Sequence, residues 1–221
     1  MNKFILNDNT QFDIKYIIAN NINRILITDK KHINTIKEIK QQTNCIITYY
    51  HLFDFDKTLL NKTYFDNLDC VDNIIFSKYD ILELYKKYIN KPIMKVATVI
   101  TFGTFDLYHI GHENILKRSK SYGDKLIVGV SSDELNHKKG KKSHETINER
   151  ISNIDKSNYA DEIFIEESLE LKNEYIEKYN ADILIMGDDW LNKFDWVQCL
   201  TVYLPRTPNI SSTMLRSRIK S

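Results

Sequence analysis

The chain has 221 residues, of which 42% are hydrophobic and 28% are charged, and this composition argues against wholesale disorder. Its 31 Lys and Arg residues balance 30 Asp and Glu residues, so the net charge of +1 provides no general attraction to nucleic acid or to anionic lipid. No apolar run approaches the roughly 18 residues of a membrane span, and the N-terminus lacks the pattern of a secretory signal. Three scattered cysteines form neither a disulfide framework nor a zinc motif (Cys45, Cys70 and Cys199). These features predict a cytoplasmic protein without a membrane span.

The first part of the chain contains no glycine, because all 6 glycines lie after residue 100. Short apolar runs typical of strands occur here, and two stretches have the spacing of amphipathic helices. The strands are predicted at 24–28, 45–49 and 73–76, and the helices at 33–39 and 81–88. Residues 1–92 are therefore predicted to form a small α/β domain, to which the sequence assigns no role.

The second part, residues 93–221, alternates apolar runs with stretches of helical spacing. The strands are predicted at 95–101, 125–130, 162–165, 183–186 and 201–204, and the helices at 112–122, 147–158 and 170–179. Such alternation predicts a parallel sheet with helices on both faces, which is a Rossmann-like α/β fold. Ligands of these sheets lie beyond the carboxyl ends of the strands. The residues directly after each strand are therefore the candidate site residues.

The turn after the first of these strands carries two histidines three residues apart, His109 and His112, with Gly111 between them. A helix that begins here offers a phosphate its unpaired N–H groups and the positive end of its dipole. Gly111 allows a polyphosphate to approach the backbone, and the imidazoles can donate hydrogen bonds as charge develops on a phosphoryl group. Taken alone, a His-x-x-His pair is also compatible with a zinc site, a capping arrangement or two core histidines.

The complete string at 103–112, Gly-Thr-Phe-Asp-x-x-His-x-Gly-His, resembles the paired signatures of the cytidylyltransferases, within the wider HxGH nucleotidyltransferase superfamily. Two further motifs follow in the order that this family has, Met-Gly-Asp-Asp-Trp at 186–190 and Arg-Thr-Pro-Asn-Ile-Ser-Ser-Thr at 206–213. The resemblance extends from about residue 95 to the end of the chain. It is closest to the members that act on glycerol 3-phosphate. It implies a CTP-dependent homodimeric enzyme that makes CDP-glycerol for a cell-surface polymer such as teichoic acid.

The resemblance also implies roles for individual residues. Catalysis is expected from His109, His112 and Lys141. The CTP-binding residues that it implies are Thr104, Phe105, Asp106, His109, Gly111, His112, Lys141, Gly187, Asp188, Arg206, Thr207, Ile210, Ser211, Ser212 and Thr213. The acceptor-binding residues that it implies are Lys139, Lys172 and Arg150. Joining a phosphomonoester to a triphosphate brings about six negative charges together, so several cations are required. Mg2+ is expected to bind mainly through the CTP phosphates, without a metal site of the protein's own.

Three departures from the family pattern leave the acceptor open. Asn158 stands where the family usually has Arg, Pro208-Asn209 where it has Glu-Gly, and Ser212 where it has Thr. Losing a guanidinium is expected to weaken phosphate binding or to change the acceptor. The alternative acceptors are phosphocholine, phosphoethanolamine or another phosphorylated polyol or amide, with the N-terminal part serving as a binding or dimerisation module.

A second motif lies in the first part of the chain, where Asp54 and Asp56 precede Thr58. The pattern resembles the Asp-x-Asp-x-Thr nucleophile motif of haloacid-dehalogenase-type phosphatases, which need a carboxylate nucleophile, a second acid and Mg2+. Too little chain follows before the next domain, and it offers no convincing lysine and acidic-pair motifs. We therefore do not predict a phosphatase site.

Overall fold

The computed structural model describes residues 3–6, 24–28, 33–51, 68, 70–77, 82–83, 86 and 93–219 of the chain. The chain divides into two compact units, Met1–Val96 and Ala97–Ser221. Within the described residues, no helix has both the length and the apolar character needed to cross a membrane. The motif of Asp54, Asp56 and Thr58 lies outside the described residues.

The described part of the first unit is a parallel sheet of five strands in the order β1-β2-β3-β4-β5. Its elements are β1 (Lys3–Leu6), β2 (Arg24–Ile27), α1 (Ile33–Gln42), β3 (Ile46–His51), β4 (Asn73–Phe76) and β5 (Ile93–Val96). Ile36 and Ile39 are buried on one face of α1. Beside them, Lys40 forms an ion pair with Asp72 at 2.9 Å. The predicted strands at 24–28, 45–49 and 73–76 correspond to β2, β3 and β4.

The predicted strand at 95–101 is wrong, because the structure divides this run between two sheets. β5 pairs with β4 in the first sheet, and β6 (Thr98–Gly103) begins the second sheet one residue later. Ala97 separates them, and the Thr98 N–H donates to the Asp182 carboxylate at 2.9 Å. Buried parallel strands share one apolar, β-branched composition, so the run carries no mark of the boundary. β1 was not predicted either, because polar residues surround its four residues.

The second unit has a parallel sheet of five strands in the order β10-β9-β6-β7-β8. After β6, its strands are β7 (Lys125–Ser131), β8 (Glu162–Glu166), β9 (Ile183–Gly187) and β10 (Leu200–Leu204). Its helices are α2 (Ile110–Lys120), α3 (Asp133–Lys138), α4 (Ile147–Lys156), α5 (Lys172–Lys178) and α6 (Ser212–Ile219), with a 3-10 turn at Asp188–Trp190. This architecture confirms the predicted Rossmann-like parallel sheet.

The strand order of the second unit fixes where a ligand can bind. From the central strand β6 the chain proceeds to β7 and β8 on one side, and later to β9 and β10 on the other. Ligands of open parallel sheets lie beyond the carboxyl ends of the strands where the order reverses. The end of β6 is that point, and the chain continues from it into the motif with the two histidines.

Candidate active site

A cavity lies at the carboxyl end of the second sheet, and six residues of the turn that follows the central strand line it: Thr104, Phe105, Asp106, His109, Gly111 and His112. The last residues of β7 and β8 and the segments that follow them line one side, called here the β7–β8 half, with Ser131, Lys139, Glu166 and Lys172. The last residue of β9 and the segments that follow β9 and β10 line the other side, the β9–β10 half, with Gly187, Asp189, Arg206 and Thr207. The sheet order therefore gives the cavity two halves that meet at the histidine turn.

His109 is both the N-cap of α2 and part of the cavity wall. Its Nδ1 accepts a hydrogen bond from the Gly111 N–H at 3.0 Å. In the neutral ring the proton must then reside on Nε2, which makes Nε2 a donor. A Cβ at position 111 would lie 2.8 Å from the Cε1 atom of His109. Glycine is therefore required here for the ring to keep this position.

His112 stacks on His109 one helical turn later, with ring centroids 3.9 Å apart and an interplanar angle of 16°. Burial, followed by the nearby His109 and Arg206, lowers the pKa of His112 to about 3. Burial and Arg206 also lower the pKa of His109. Both rings are consequently neutral at pH 7, and each can donate one hydrogen bond to an anion. A polyanion placed beside them would favour their charged forms.

Asp106 lies between the end of β6 and this helix, and it is 1% exposed. Its carboxylate accepts hydrogen bonds from the backbone N–H groups of His144 at 2.8 Å and Glu145 at 2.9 Å. Arg216, on the last helix, donates to the same carboxylate at 3.3 Å. The residues on either side, Phe105 and Leu107, have φ values of 54° and 50°, which are unfavourable for their side chains. Backbone strain of this kind persists where surrounding contacts over-determine it, and it concentrates at functional sites.

The C-terminal motif meets the histidine turn directly. The Ser212 hydroxyl donates to the backbone carbonyl of Asp106 at 2.7 Å, and its oxygen lies 3.4 Å from Nε2 of His109. Farther back, the Asn114 side chain donates to the Thr207 hydroxyl at 3.2 Å. The two imidazoles and the serine–threonine cluster (Ser211, Ser212 and Thr213) therefore lie on the same side of the sheet and face one cavity.

A buried polar cluster occupies the β7–β8 half. Glu166, 1% exposed, pairs with the ammonium of Lys172, which is 0% exposed. The other carboxylate oxygen of Glu166 accepts from the Ser131 hydroxyl at 2.8 Å, and that hydroxyl accepts from Lys139 at 2.9 Å. Burial lowers the pKa of Lys172 to about 8, although Glu166 opposes the shift, and burial also lowers the pKa of Lys139. The cluster thus fixes two lysines with one carboxylate between them.

Most of the predicted site residues line this cavity. They are Thr104, Phe105, Asp106, His109, Gly111, His112, Lys139, Lys141, Lys172, Gly187, Arg206, Thr207, Ile210, Ser211, Ser212 and Thr213. The sequence analysis missed other lining residues, among them Phe102, Ser131, Glu166, Asp189 and Arg216. Ser131 carried a usable signal, because it is a polar residue that ends a buried strand. Glu166 ends β8, whose other residues are exposed or partly exposed, so its position gave no such signal.

Arg150 lies in the interior and is not among the cavity residues. Its guanidinium donates to the carbonyls of Thr104 and Ser131, both at 2.8 Å, and pairs with Asp133. The side chain is 0% exposed, so it ties α4 to the loops after β6 and β7 instead of facing an acceptor. The predicted acceptor contact of Arg150 is therefore corrected to a structural contact.

Asp188 and Asn158 also lie outside the cavity lining. Asp188 is exposed and does not line the cavity, whereas its neighbours Gly187 and Asp189 do. Asn158 is exposed after α4 with a φ of 57°, a conformation that asparagine tolerates better than most residues.

The model of the cytidylyltransferase-like family matches residues 100–218, which is more than half of the chain. The chain belongs to the cytidylyltransferase-like family. The glycerol-3-phosphate cytidylyltransferase of Bacillus subtilis (strain 168) is 45% identical over 123 residues, which are 55% of this chain and 95% of that protein. The protein of the same name from Staphylococcus aureus (strain NCTC 8325 / PS 47) is 38% identical over 123 residues, 55% of this chain and 93% of that protein. An FAD synthase from Thermococcus sibiricus (strain DSM 12597 / MM 739) is 32% identical over 123 residues, 55% of this chain and 80% of that protein.

Membership of the cytidylyltransferase-like family confirms the predicted enzyme class, a CTP-dependent nucleotidyltransferase. The match to the family lies within the second unit, where the cavity is. One departure of this cytidylyltransferase from its family pattern has a physical explanation. Asn209, which stands in place of glycine, has a φ of 60°, and asparagine is the residue type that best replaces glycine in this conformation.

Proposed function

We propose that the enzyme transfers the cytidylyl group of CTP to glycerol 3-phosphate, which gives CDP-glycerol and pyrophosphate. The observation that carries the proposal is the meeting of His109 with Ser212 at one cavity, 3.4 Å apart. This places two neutral imidazoles and the start of α6 around a single volume suited to a triphosphate. The two bacterial relatives named above are glycerol-3-phosphate cytidylyltransferases, which supports glycerol 3-phosphate as the acceptor.

CTP is assigned to the histidine turn and the β9–β10 half. Arg206 is 54% exposed and has a long 3.8 Å ion pair with Asp189, so its guanidinium is available to an incoming phosphate. Lys141 is exposed at the edge of the cavity and is assigned to the same phosphates. The remaining proposed phosphate-binding groups are the hydroxyls and backbone N–H groups at the start of α6, which belong to Ser211, Ser212 and Thr213. Thr104, Phe105, Asp106, Gly111, Gly187, Thr207 and Ile210 form the remaining wall for the nucleotide.

The proposed step is one in-line displacement. A phosphate oxygen of the acceptor attacks the α-phosphorus of CTP, a new P–O bond forms, and the bond to the β-phosphate bridging oxygen breaks. Pyrophosphate leaves with the electron pair of the broken bond. The nucleophile is already ionised, so no covalent enzyme intermediate and no general base are needed. His109 and His112 donate hydrogen bonds to oxygens that gain charge in the transition state, and such donors contribute a few kcal/mol each in a dry site.

The acceptor is assigned to the β7–β8 half, opposite the nucleotide across the histidine turn. Lys139 lines this half, and Ser131 holds its ammonium at 2.9 Å. Lys172 lines the same half, while Glu166 neutralises its charge. Lys139 is therefore the proposed direct contact of the acceptor phosphate.

Mg2+ is proposed to enter with CTP. Among the described residues, no group of three His, Cys, Asp or Glu side chains is arranged to hold a metal ion. Of the cavity carboxylates, Asp106 and Glu166 are held by hydrogen bonds and charged partners, whereas Asp189 is half-exposed. These residues fit an ion that is bound mainly by phosphate oxygens, with Asp189 as a ligand from the protein. When bound, Mg2+ neutralises part of the triphosphate charge.

The acceptor is tested by measuring pyrophosphate release from CTP with a panel of phosphomonoesters. Glycerol 3-phosphate should give the highest kcat/KM, and phosphocholine, phosphoethanolamine and other phosphorylated polyols or amides should give lower values. A higher value for another member of the panel would contradict the acceptor and leave cytidylyl transfer intact. No pyrophosphate release with any member would contradict the function itself.

Three finer features belong to the same proposal. A homodimer and a cytoplasmic location are expected, as is use of the product in a cell-surface polymer.

The first unit is proposed to serve binding or dimerisation, because the match to the family lies within the second unit. Sedimentation of the full chain and of a chain lacking residues 1–96, with turnover measured for both, tests this role. Unchanged turnover with altered assembly would support it, and lost turnover would contradict it.

A further inference from the structure

The ammonium of Lys172 occupies an unusual position for a charged group in an active-site cavity. It lies over the ring of Phe102, 3.3 Å from the centroid, and 5.3 Å from the centroid of Phe194. The carboxylate of Glu166 contacts it directly, and the side chain is 0% exposed. Lys172, Phe102 and Glu166 nevertheless all belong to the residues that line the cavity, so this buried cluster adjoins it.

The partners of this ammonium are the ones that recognise organic cations. Aromatic faces attract ammonium groups through the ring quadrupole, and a nearby carboxylate adds full charge complementarity. Phe102 and Glu166 together therefore make a cation subsite of the kind that a trimethylammonium or primary ammonium ligand uses. In this chain the cation is supplied from within, by Lys172.

The charge balance of the β7–β8 half follows from this pairing. The negative charge of Glu166 is neutralised by Lys172, and its second oxygen accepts from Ser131. Lys139, held by Ser131, then provides the uncompensated positive charge of the cluster. A phosphate can bind to the ammonium of Lys139 here. A cationic headgroup cannot bind between Phe102 and Glu166, because the ammonium of Lys172 occupies that position, and Lys139 would repel it.

We propose that Lys172 determines acceptor specificity by acting as a built-in cation that excludes phosphomonoesters with ammonium headgroups. The inference rests on the proposed function in assigning the acceptor to the β7–β8 half. Removing the lysine side chain would open a space bounded by Phe102 and Glu166. That space would admit a small alkylammonium ion or the headgroup of phosphoethanolamine or phosphocholine.

The first test measures binding without any acceptor. Lys172→Ala should bind methylammonium. Its melting temperature should therefore be higher in methylammonium chloride than in NaCl of the same concentration, and the melting temperature of the wild type should be the same in both salts. Lys178→Ala is the matched control, because Lys178 lies on the same helix, 5.0 Å from the ring of Tyr179, and is exposed outside the cavity. It should behave as the wild type. A folded Lys172→Ala variant that methylammonium does not stabilise overturns the proposal.

The second test measures specificity. The ratio of kcat/KM for phosphoethanolamine to that for glycerol 3-phosphate should rise about tenfold or more in Lys172→Ala. Lys172→Met keeps the packing of the stem and leaves Glu166 without its partner, so it should shift the ratio in the same direction by less. An unchanged ratio in whichever of the two variants folds overturns the proposal. A wild type that prefers an acceptor other than glycerol 3-phosphate contradicts the proposed acceptor, and the methylammonium result does not depend on it.

Discussion

Ser212 and His109 meet across 103 residues of chain, with the serine oxygen 3.4 Å from Nε2 of the histidine. Each residue reaches this point for a separate reason. His109 is fixed by its cap on α2, and Ser212 by its hydrogen bond to the backbone of Asp106. Two independently anchored polar side chains therefore converge on one cavity, where the imidazole N–H of His109 is a preorganised donor of the kind that phosphoryl transfer uses.

His112 is expected to contribute to the chemical step. His112→Ala should lower kcat by about a hundredfold or more, because it removes a preplaced donor to the transition state. The far-ultraviolet circular dichroism of the variant should match that of the wild type. Initial rates with saturating CTP and acceptor measure the effect, and turnover within about threefold of the wild type would show that the role is wrong.

Gly111 is expected to matter through the ring of His109. A methyl group at this position would lie 2.8 Å from Cε1 of the imidazole, so Gly111→Ala must displace the ring. We expect kcat to fall by about tenfold or more, since a misplaced donor loses most of its effect. Ile110→Ala, an exposed neighbour in the same helical turn, is the control and should keep its rate. Equal rates for both variants would mean that the position of the His109 ring is not important.

Lys139 is expected to act on the acceptor and not on CTP. Lys139→Ala should raise the KM for the acceptor by about tenfold or more and change the KM for CTP little. Lys138→Ala removes the exposed neighbouring charge, which does not line the cavity, and serves as the control. An effect on the KM for CTP alone would reassign Lys139 to the nucleotide.

The lowered pKa of His112 predicts a pH dependence of stability. Its folded value of about 3 lies below the ordinary value of about 6.5, so between these limits the unfolded chain binds more protons. The free energy of unfolding should therefore rise with pH in this window. The stabilising contribution of His112 should be fully present above about pH 6.5 and should be lost as the pH falls toward 3.

Comparison of the wild type with His112→Gln isolates this contribution. The free energy of unfolding of the wild type should rise by about 1.4 kcal/mol per pH unit more than that of the variant between about pH 4 and 6. Tryptophan fluorescence during urea denaturation measures the second unit, because both tryptophans, Trp190 and Trp196, lie there. Parallel curves for the two proteins would show that His112 is not buried in its neutral form.

The sequence predicted the second unit well because its information is local. β-branched runs such as the one in β7 are buried along the strand, and the histidine motif follows a strand directly. Parallel strands place their carboxyl ends at one edge, so the motifs after β6, β9 and β10 had to approach one another. This rule predicts that His109 and Ser212 lie at the same edge of the sheet, and the family resemblance implied that both motifs bind one CTP.

Burial of charge was not predictable in the same way. The family resemblance implied an acceptor contact for Lys172 and for Arg150, and nothing in the sequence indicates that either charged side chain is buried, because lysine and arginine are mostly exposed. The partners that bury them, Glu166 and the backbone carbonyls of Thr104 and Ser131, are brought together only by the tertiary fold. Arg216 was missed because a charged residue on a terminal helix ordinarily indicates a solvated face, whereas here it contacts Asp106.

A double-mutant cycle on His109 and Ser212 tests the central claim that both residues act on one polyanion. The value of kcat/KM for CTP is measured for His109→Ala, Ser212→Ala, the double variant and the wild type. Two groups that hold the same triphosphate should show a coupling free energy of about 1 kcal/mol or more. Effects that add to within about 0.3 kcal/mol would contradict the claim and, with it, the assignment of the cavity to CTP.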